Sequence, residues 1–475
     1  MAGQMKLPRS TPEAQGVSSK AILTFLDEVE REVPEFHSLM VLRNGAVIAE
    51  GWWAPYGPKR VHMLYSLSKS FTSTAVGIAV DEGRLSVEDK VLGFFPDEAP
   101  ARPDANLKRM RVKHLLSMAT GHDTDPTWTV FSQHNWVQSF LSLPVEHEPG
   151  THFVYNTAAT YMLSAIVQKL TGEKLTDYLK PRLFEPLGIT GARWDTCPLG
   201  INVGGSGLRV KTEAIARFGQ LYLDKGVFNG QRLVSEKWVK AASSKQVDNG
   251  PDPNNDWNQG YGYQFWRCRH NCYRGDGACG QYCIVMPEQN AVVAITSGVA
   301  DMQAVLNKVW DHLLPGFAAK PLAEDVASEA LTERLASLRY EPPKGKKTYA
   351  IAAKVSGRTA KFEPNNWQLT SARLDFDEGG AKLTLAAGRR EQYVECGLEE
   401  WRPGRTALLS HRPEQVVASG TWTALDTFEI TMRQVEMPAK WTITCKCSGK
   451  GLTVSAKAHA NFGPSELPEL VGEFE

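Results

Sequence analysis

The segment from Ser66 to Asp81 constrains the fold of this chain more than any other part of it. Its second half is apolar on almost every face, because it contains Phe71, Ala75, Val76, Ile78, Ala79 and Val80. Gly83 follows as a helix stop signal. Since a helix without a polar face must be covered on all sides, the sequence predicts a buried helix over 66–81.

Strand signals lie on both sides of a helical middle. Asn44-Gly45 between two apolar runs predicts a β-hairpin over 39–49, and strands return at 261–267, 280–286 and 291–297. Further helices are predicted at 18–31, 112–118, 135–143, 157–170, 212–224 and 302–313. We expect an α/β (α+β) domain over 1–314, in which helices and a helical subdomain flank one antiparallel sheet built from both chain ends.

A change of composition separates a second domain. Residues 315–347 contain four prolines and the run Lys344-Gly345-Lys346-Lys347, which indicates a linker with one short helix at 322–338. Beyond it, short strands are predicted at 348–355, 361–369, 382–386, 427–435, 440–447 and 452–458. This spacing predicts an antiparallel all-β domain over 348–475, either a sandwich or a small barrel such as a lipocalin-like one.

The charge balance bears on partners and location. The 475-residue chain has 53 basic and 53 acidic residues, so no long-range attraction to nucleic acid or to an anionic membrane is expected. Met1–Pro8 lacks the basic and apolar regions of a secretory leader, and no apolar run approaches the roughly 18 residues of a membrane span. We therefore expect a cytoplasmic protein.

The cysteines and histidines suggest a metal site only weakly. Cys268, Cys272, Cys279 and Cys283 form a quartet that zinc could use, but strand-like sequence between them favours buried thiols, with a redox role as a third alternative. No pair within the local run of histidines has convincing ligand spacing, so core or loop positions are expected for His62, His114, His122, His134, His147 and His152. We expect neither a metal nor a cofactor.

Ser66 and Lys69 indicate the chemistry. Residues three apart share a helix face, so the Lys69 amine can reach the Ser66 hydroxyl. A helix N-terminus and burial both disfavour the ammonium, which lowers the lysine pKa and creates a base for an activated serine. The Ser66 N–H would supply half of an oxyanion hole. Because Ser-x-x-Lys alone is a common pattern, a non-catalytic alternative stays open: Ser66 would be a helix N-cap, and the Lys69 side chain would extend to solvent.

The residues around this pair resemble a known family. Tyr65-Ser66-Leu67-Ser68-Lys69, Phe153-Val154-Tyr155-Asn156-Thr157 and Gly204-Gly205-Ser206-Gly207-Leu208 occur in the order found in serine β-lactamases and penicillin-binding proteins. The similarity extends over about residues 10–314 and is greatest to class C β-lactamases and related esterases and D-aminopeptidases. It implies a β-lactamase/transpeptidase-like fold and an acyl-enzyme mechanism.

The resemblance also implies roles for residues near 155. Tyr155 would be the second proton-transfer group, its phenolate favoured by a neighbouring lysinium; the alternative is a ring that closes a loop. Asn156 and Thr157 would contact substrate. Thr157 stands where the family usually has asparagine, so a hydroxyl replaces the amide unless Asn156 substitutes for it.

A second departure concerns anion binding. Gly275-Asp276-Gly277 stands where the family has Lys-Thr-Gly, so the lysine that helps to bind a β-lactam carboxylate is missing. Asp276 either faces substrate or is a turn or surface residue, and Gly277 would let substrate lie against the strand. By the same resemblance, the Ala278 N–H would complete the oxyanion hole. Arg274 could restore the cation only by facing inward.

Together these features predict a serine hydrolase that cleaves ester or amide bonds of small molecules through an acyl-enzyme on Ser66. A β-lactamase or D-Ala-D-Ala or D-amino peptidase is one alternative, and a non-catalytic scaffold or ligand-binding protein is another. The sequence does not determine whether the protein forms a homo-oligomer. Six tryptophans either line an apolar substrate cleft or pack within the protein in the ordinary way: Trp52, Trp53, Trp128, Trp136, Trp257 and Trp266.

Overall fold

The computed structural model describes residues 7–410, 412–460, 462–463 and 465–475, and the contacts among them define two units. The first unit contains the described residues up to Trp52, then Val61–Ser297 and Asp301–Ser337. The second contains Trp53–Arg60, Gly298–Ala300 and Leu338–Glu475. The leader prediction for the N-terminus falls mostly on residues 1–6, outside the described residues. None of the described helices is both long and apolar enough to cross a lipid bilayer.

The sheet of the first unit unites its two chain ends, as expected. The strands of this unit, which include those of two smaller sheets, are β1 Phe36–Arg43, β2 Ala46–Trp52, β3 His62–Met63, β4 Arg193–Trp194, β5 Leu208–Val210, β6 Val227–Phe228, β7 Gln231–Arg232, β8 Trp266–Arg267, β9 Tyr273–Gly277, β10 Gln281–Met286 and β11 Ala291–Ser297. The main sheet has the order β2-β1-β11-β10-β9-β8, and every pairing in it is antiparallel. Asn44 and Gly45 have positive φ angles of 51° and 77°, which the predicted hairpin turn requires.

Helices fill the sequence between these strands. They are α1 Ser19–Glu32, α2 Ser68–Asp81, α3 Ala105–Arg109, α4 Val112–Leu116, α5 Thr127–Phe131, α6 Trp136–Leu141, α7 Thr157–Thr171, α8 Leu175–Leu179, α9 Thr212–Leu223, α10 Glu236–Ser243, α11 Met302–Lys308 and α12 Ala327–Ser337. A π-helical segment, Val309–Leu313, continues α11. These bounds agree with the predicted helices to within a few residues, except that α12 is shorter than expected.

Helix α2 is buried throughout, as its composition predicts. Every residue from Ser68 to Ala79 is inaccessible to solvent. Its hydroxyl groups are satisfied inside the protein: Ser70 Oγ donates to the carbonyl of Gln264 at 2.8 Å, and Ser73 Oγ donates to that of Tyr263 at 2.7 Å. Because each buried hydroxyl has a partner, the polar residues of α2 cost little in the core.

The second unit is a closed barrel. After helix α13 Ala350–Val355, its strands are β12 Thr359–Phe362, β13 Ser371–Phe376, β14 Gly380–Ala387, β15 Arg390–Leu398, β16 Arg402–Thr406, β17 Glu414–Trp422, β18 Thr427–Gln434, β19 Lys440–Cys447, β20 Gly451–His459 and β21 Glu466–Phe474. β15 pairs in parallel with β17, which closes a ring of nine strands; β16 pairs with β17 outside that ring. Alternating inward residues, including Ile443 and Cys445, form its core.

Two local predictions differ from the structure. The segment expected as a strand over 348–355 contains α13, because its alanines favour a helix and place Ala352 and Val355 on one buried face. The expected linker is divided between the units. Helix α12 packs against α1 in the first unit and buries Leu331, and the second unit resumes at Leu338.

Candidate active site

A strained turn presents Ser66 at the start of α2. Tyr65–Leu67 form one turn of 3₁₀ helix, and α2 begins at Ser68, two residues later than the predicted start. Tyr65 has a φ of 45°, a left-handed conformation that is uncommon for a residue other than glycine. Such strain persists only where the surrounding structure enforces it. The turn leaves Ser66 partly exposed while its neighbours Leu67 and Ser68 are buried.

Lys69 reaches Ser66 across one helical turn. Its Nζ hydrogen-bonds to Ser66 Oγ at 3.0 Å, to Thr157 Oγ1 at 3.0 Å and to the carbonyl oxygen of Gly205 at 2.8 Å. The side chain is 1% exposed, and burial lowers its pKa from 10.5 to about 7. The amine is therefore poised to accept a proton from Ser66 near neutral pH.

Tyr155 approaches Ser66 from the loop before α7. Ser66 is near enough to affect the pKa of Tyr155, and the Tyr155 ring stacks on that of Trp266 with centroids 5.2 Å apart. Lys69 Nζ lies 4.8 Å from the centroid of the Tyr155 ring. Burial, and next the charge of Asp276, raise the pKa of Tyr155. This shift favours the protonated phenol, in contrast to the phenolate that the resemblance implies.

Gly205 contacts Lys69, a role that its place in the glycine-rich motif did not predict. Its carbonyl oxygen accepts the shortest of the three Lys69 hydrogen bonds. A Cβ at this position would lie 2.6 Å from Thr157 Cγ2, so only glycine lets the two segments approach this closely. The glycine-rich run around 205 was the available signal, although it did not indicate a lysine partner.

The edge of β9 runs along the 3₁₀ turn that carries Ser66. A Cβ at Gly275 would lie 2.5 Å from Leu67 Cδ1, and one at Gly277 would collide with the carbonyl oxygen of Leu64. The room beside Gly277 is thus filled by the turn, whereas substrate was expected there. Ala278, the proposed second oxyanion donor, is the next residue along the chain.

Arg274 and Asp276 form a buried ion pair on the other face of β9. Arg274 Nε donates to Asp276 Oδ2 at 2.9 Å, and the two residues are 0% and 6% exposed. The guanidinium also donates to Cys268 Sγ at 3.0 Å and lies 4.3 Å from the Trp257 ring centroid. Burial raises the pKa of Asp276, although Arg274 opposes that rise. The Arg274 cation is therefore neutralised inside the protein.

The two residues at the start of α7 have different roles: Asn156 caps the helix, and Thr157 contacts Lys69. Asn156 is 0% exposed, and its Oδ1 accepts the Ala159 N–H at 3.0 Å as the helix N-cap. Its side chain is thus engaged in the cap, whereas contact with substrate was expected. Thr157 faces Lys69 instead.

Asp125 is a second residue that the sequence gave no reason to select. It is exposed, and its charge raises the pKa of Lys69 against the larger effect of burial. Its Oδ1 accepts hydrogen bonds from the N–H and hydroxyl of Thr127. The Thr127 hydroxyl in turn accepts the N–H groups of Thr157 and Ala158, which links Asp125 to the start of α7.

The other candidates are mostly structural. Trp136 is buried in the core, and Trp257 and Trp266 cover Arg274. Trp128 is the exception at 74% exposure, on α5 beside Asp125. All eight cysteines are free thiols, and Cys279 alone is not fully buried. In the part of the chain that the structure describes, the cysteines do not contribute to a group of three metal-ligating side chains.

The arrangement supplies the parts of an acyl-transfer site. A partly exposed hydroxyl contacts a buried amine whose pKa is lowered to about 7, a phenol lies near the same hydroxyl, and two backbone segments converge beside it. Such a set can deprotonate a serine, hold an oxyanion and return a proton to a leaving group.

Comparison with known proteins gives a family match over most of the first unit. A family model described as Beta-lactamase matches residues 27–303. A 6-aminohexanoate-dimer hydrolase from Paenarthrobacter ureafaciens is 26% identical over 315 residues, which cover 62% of this chain and 80% of that protein. A lovastatin esterase from Penicillium rubens is 26% identical over 156 residues, covering 28% of this chain and 39% of the esterase.

A solved structure shares the fold. A Bacillus anthracis protein, provisionally described as a 6-aminohexanoate-dimer hydrolase, superposes with a TM-score of 0.53. The two chains are 19% identical, and the match covers 70% of this chain and 89% of the other. The β-lactamase-like architecture predicted for the first unit is confirmed.

Proposed function

The chain belongs to the beta-lactamase family and is a serine hydrolase of ester or amide bonds, and we propose that Ser66 is its nucleophile and Lys69 its general base. The observation that carries this proposal is the 3.0 Å hydrogen bond between Lys69 Nζ and Ser66 Oγ, at an amine whose pKa burial lowers to about 7. A neutral amine in contact with the hydroxyl is what activation of a serine requires.

Acylation follows from this geometry. Lys69 takes the Ser66 proton as Oγ attacks the carbonyl carbon of the substrate, and the carbonyl π electrons move to its oxygen. The N–H groups of Ser66 and Ala278 bind that oxyanion. When the tetrahedral intermediate collapses, the bond to the alcohol or amine breaks, and Tyr155 donates a proton to the departing group. The proton held by Lys69 then replaces the one that Tyr155 has lost.

Deacylation reverses the proton movements. A water molecule loses a proton to Lys69 and attacks the acyl carbon, and Ser66 leaves with a proton delivered through Tyr155. Because the pKa of Tyr155 is raised, its hydroxyl serves as a donor and relay, and Lys69 alone serves as the base.

The charge at β9 supports a substrate preference for neutral or cationic molecules. Asp276 stands where family members carry a neutral threonine, and the cation beside it, Arg274, is buried and paired with it. The exposed Asp125 adds a negative charge close to Lys69. A penicillin carboxylate would meet no free cation in this group, so esters or small amides without an anionic group should react faster.

Steady-state kinetics test this preference. Values of kcat/KM for p-nitrophenyl acyl esters, D-amino-acid amides and nitrocefin should place a neutral ester or a cationic amide first. Faster turnover of nitrocefin than of every ester would overturn the preference and favour a β-lactamase. Preferential cleavage of D-Ala-D-Ala peptides would favour a peptidase.

A labelling experiment tests the nucleophile itself. A fluorophosphonate should modify Ser66 in the folded protein, as peptide mass mapping would show, and Ser66→Ala should lose both the adduct and the hydrolysis. Ser68→Ala is the matched control, because Ser68 lies two residues away and is fully buried. Folded protein without an adduct at Ser66 would favour the non-catalytic scaffold.

The cellular setting is part of the proposal. We propose a cytoplasmic enzyme that acts on a small molecule, and the balanced charge of the chain gives no long-range attraction to a nucleic-acid or membrane partner. Fractionation of cells that express the full-length gene tests the location, and sedimentation of the purified protein tests whether it forms a homo-oligomer.

A further inference from the structure

Asp123, His147 and His152 meet in the first unit although their spacing in the sequence gives no metal motif. The two histidines lie on either side of the Pro149-Gly150 turn, and Asp123 comes from the loop after α4. In the structure one ligand atom from each residue lies within 4.8 Å of the other two. His147 Nε2 and Asp123 Oδ1 are 2.9 Å apart, and the two imidazole ring centroids are 4.3 Å apart.

The backbone holds the two contributing segments together. The N–H of His147 donates to the carbonyl of Gly121 at 2.8 Å, and the N–H of Gly150 donates to that of Ala119 at 2.8 Å. A Cβ at Gly121 would collide with the carbonyl oxygen of His147, so the contact depends on glycine. The Asp123 N–H also donates to the carboxylate of Glu146 at 3.2 Å. The ligand positions are thus fixed by main-chain contacts that do not need a metal.

The side chains themselves remain accessible and adjustable. The Asp123 side chain is 63% exposed and that of His147 is 40% exposed, so an ion can enter from solvent. Zinc ligands lie about 2.0–2.2 Å from the ion, which places two ligands of one tetrahedral ion roughly 3.4 Å apart. Small rotations of exposed side chains would bring the three ligand atoms from their present spacing to that value.

From this convergence we propose that Asp123, His147 and His152 bind one divalent transition-metal ion of the zinc type. Two imidazoles and a carboxylate suit Zn²⁺ and Co²⁺ better than Mg²⁺ or Ca²⁺, which prefer oxygen ligands alone. Water would fill the remaining coordination position. Because His152 lies three residues before Tyr155, the bound ion would restrain the segment that leads into the active site.

Cobalt titration of the full-length protein tests the site. The visible absorption of bound Co²⁺ should saturate at one equivalent per chain and disappear when Zn²⁺ competes. His147→Gln and His152→Gln should each weaken Co²⁺ binding by at least about tenfold, since each removes one of three ligands. His134→Gln is the matched control, because His134 is an exposed histidine of the same helical region outside the cluster.

The outcomes separate clearly. Loss of binding in both variants, with full binding in the His134→Gln protein, supports the site. Wild-type protein that binds Co²⁺ no more tightly than His147→Gln would overturn it, as would equal binding by all four proteins. A melting temperature that Zn²⁺ raises in the wild type and control but not in His147→Gln gives a second readout, and no rise in the wild type also counts against the site. The hydrolase proposal is independent of either result, because neither Ser66 nor Lys69 is a ligand.

Discussion

Replacing Lys69 by methionine should change how the stability of the first unit depends on pH. The amine is 1% exposed, and burial lowers its pKa from 10.5 to about 7. In the unfolded chain the amine regains its usual pKa. Between these two values the unfolded chain holds a proton that the folded chain does not. The free energy of unfolding therefore rises with pH in this window, and the lysine is most costly to the fold at and below pH 7.

The size of the effect follows from the same two pKa values. Between pH 7 and about pH 9, linkage gives Lys69 a contribution of about 2 kcal/mol to the rise in the free energy of unfolding. Lys69→Met lacks this titration, so its free energy of unfolding should rise by about 2 kcal/mol less over that interval. Methionine keeps an unbranched side chain of similar length, which limits the accompanying loss of packing.

Urea unfolding at the two pH values measures this difference. The helical circular dichroism signal is the appropriate probe, because α1–α12 all belong to the first unit. Lys108→Met, at an exposed lysine of α3, should keep the pH dependence of the wild type. The same pH dependence in wild type and Lys69→Met would refute the reasoning, since it would mean that the Lys69 amine titrates alike in the folded and unfolded chains.

Three further substitutions test the remaining parts of the site. Tyr155→Phe removes the proposed proton relay and should lower kcat by about 10²–10⁴-fold, as stopped-flow or steady-state ester hydrolysis would show. Asp125→Asn removes a charge that raises the pKa of Lys69, so the acid limb of the kcat/KM profile should move to lower pH. Gly205→Ala should destabilise the first unit by about 1–3 kcal/mol in urea and reduce kcat, because the new Cβ would overlap Thr157.

Each of these variants has its own contradicting result. Full activity of Tyr155→Phe would remove the phenol from the proton path. A shift of the acid limb to higher pH in Asp125→Asn would reverse the electrostatic sign assigned to that carboxylate. Wild-type stability and kcat in Gly205→Ala would mean that the backbone tolerates a side chain there. Gly45→Ala is unsuitable as a control because its φ is positive, whereas Gly93 has open space beside it and suits that purpose.

The sequence predicts features that depend on neighbours along the chain. The hairpin at Asn44-Gly45 and the buried α2 follow from turn chemistry and apolar patterning, both of which act locally. The Ser66–Lys69 contact also follows from helical spacing. Even here α2 begins two residues after its predicted start at Ser66. Tyr65–Leu67 form a 3₁₀ turn instead, where β9 packs closely against them.

Features that depend on distant residues were not predictable in this way. The Gly205 carbonyl meets Lys69 only because the chain returns from β4 toward β5 beside α7, and Asp125 influences Lys69 from a separate loop. On β9, alternation places Arg274 and Asp276 on one face, but only the fold reveals that this face is buried and that the two residues pair. Sequence patterning also left a barrel and a sandwich equally open, since the closing contact of β15 with β17 joins strands that are not consecutive.

The main sheet of the first unit also determines when activity can first arise during synthesis. β1 pairs with β11, and the turn that carries Ser66 packs against the strand that ends at Gly277, so Ser66 is made long before the segments that surround it. Long-range pairings of this kind form late because the intervening loop must close first. A ribosome-bound chain that has not yet emerged to Ser297 therefore carries Ser66 and Lys69 without the strands that support them. Hydrolysis should begin only after that residue has left the ribosome.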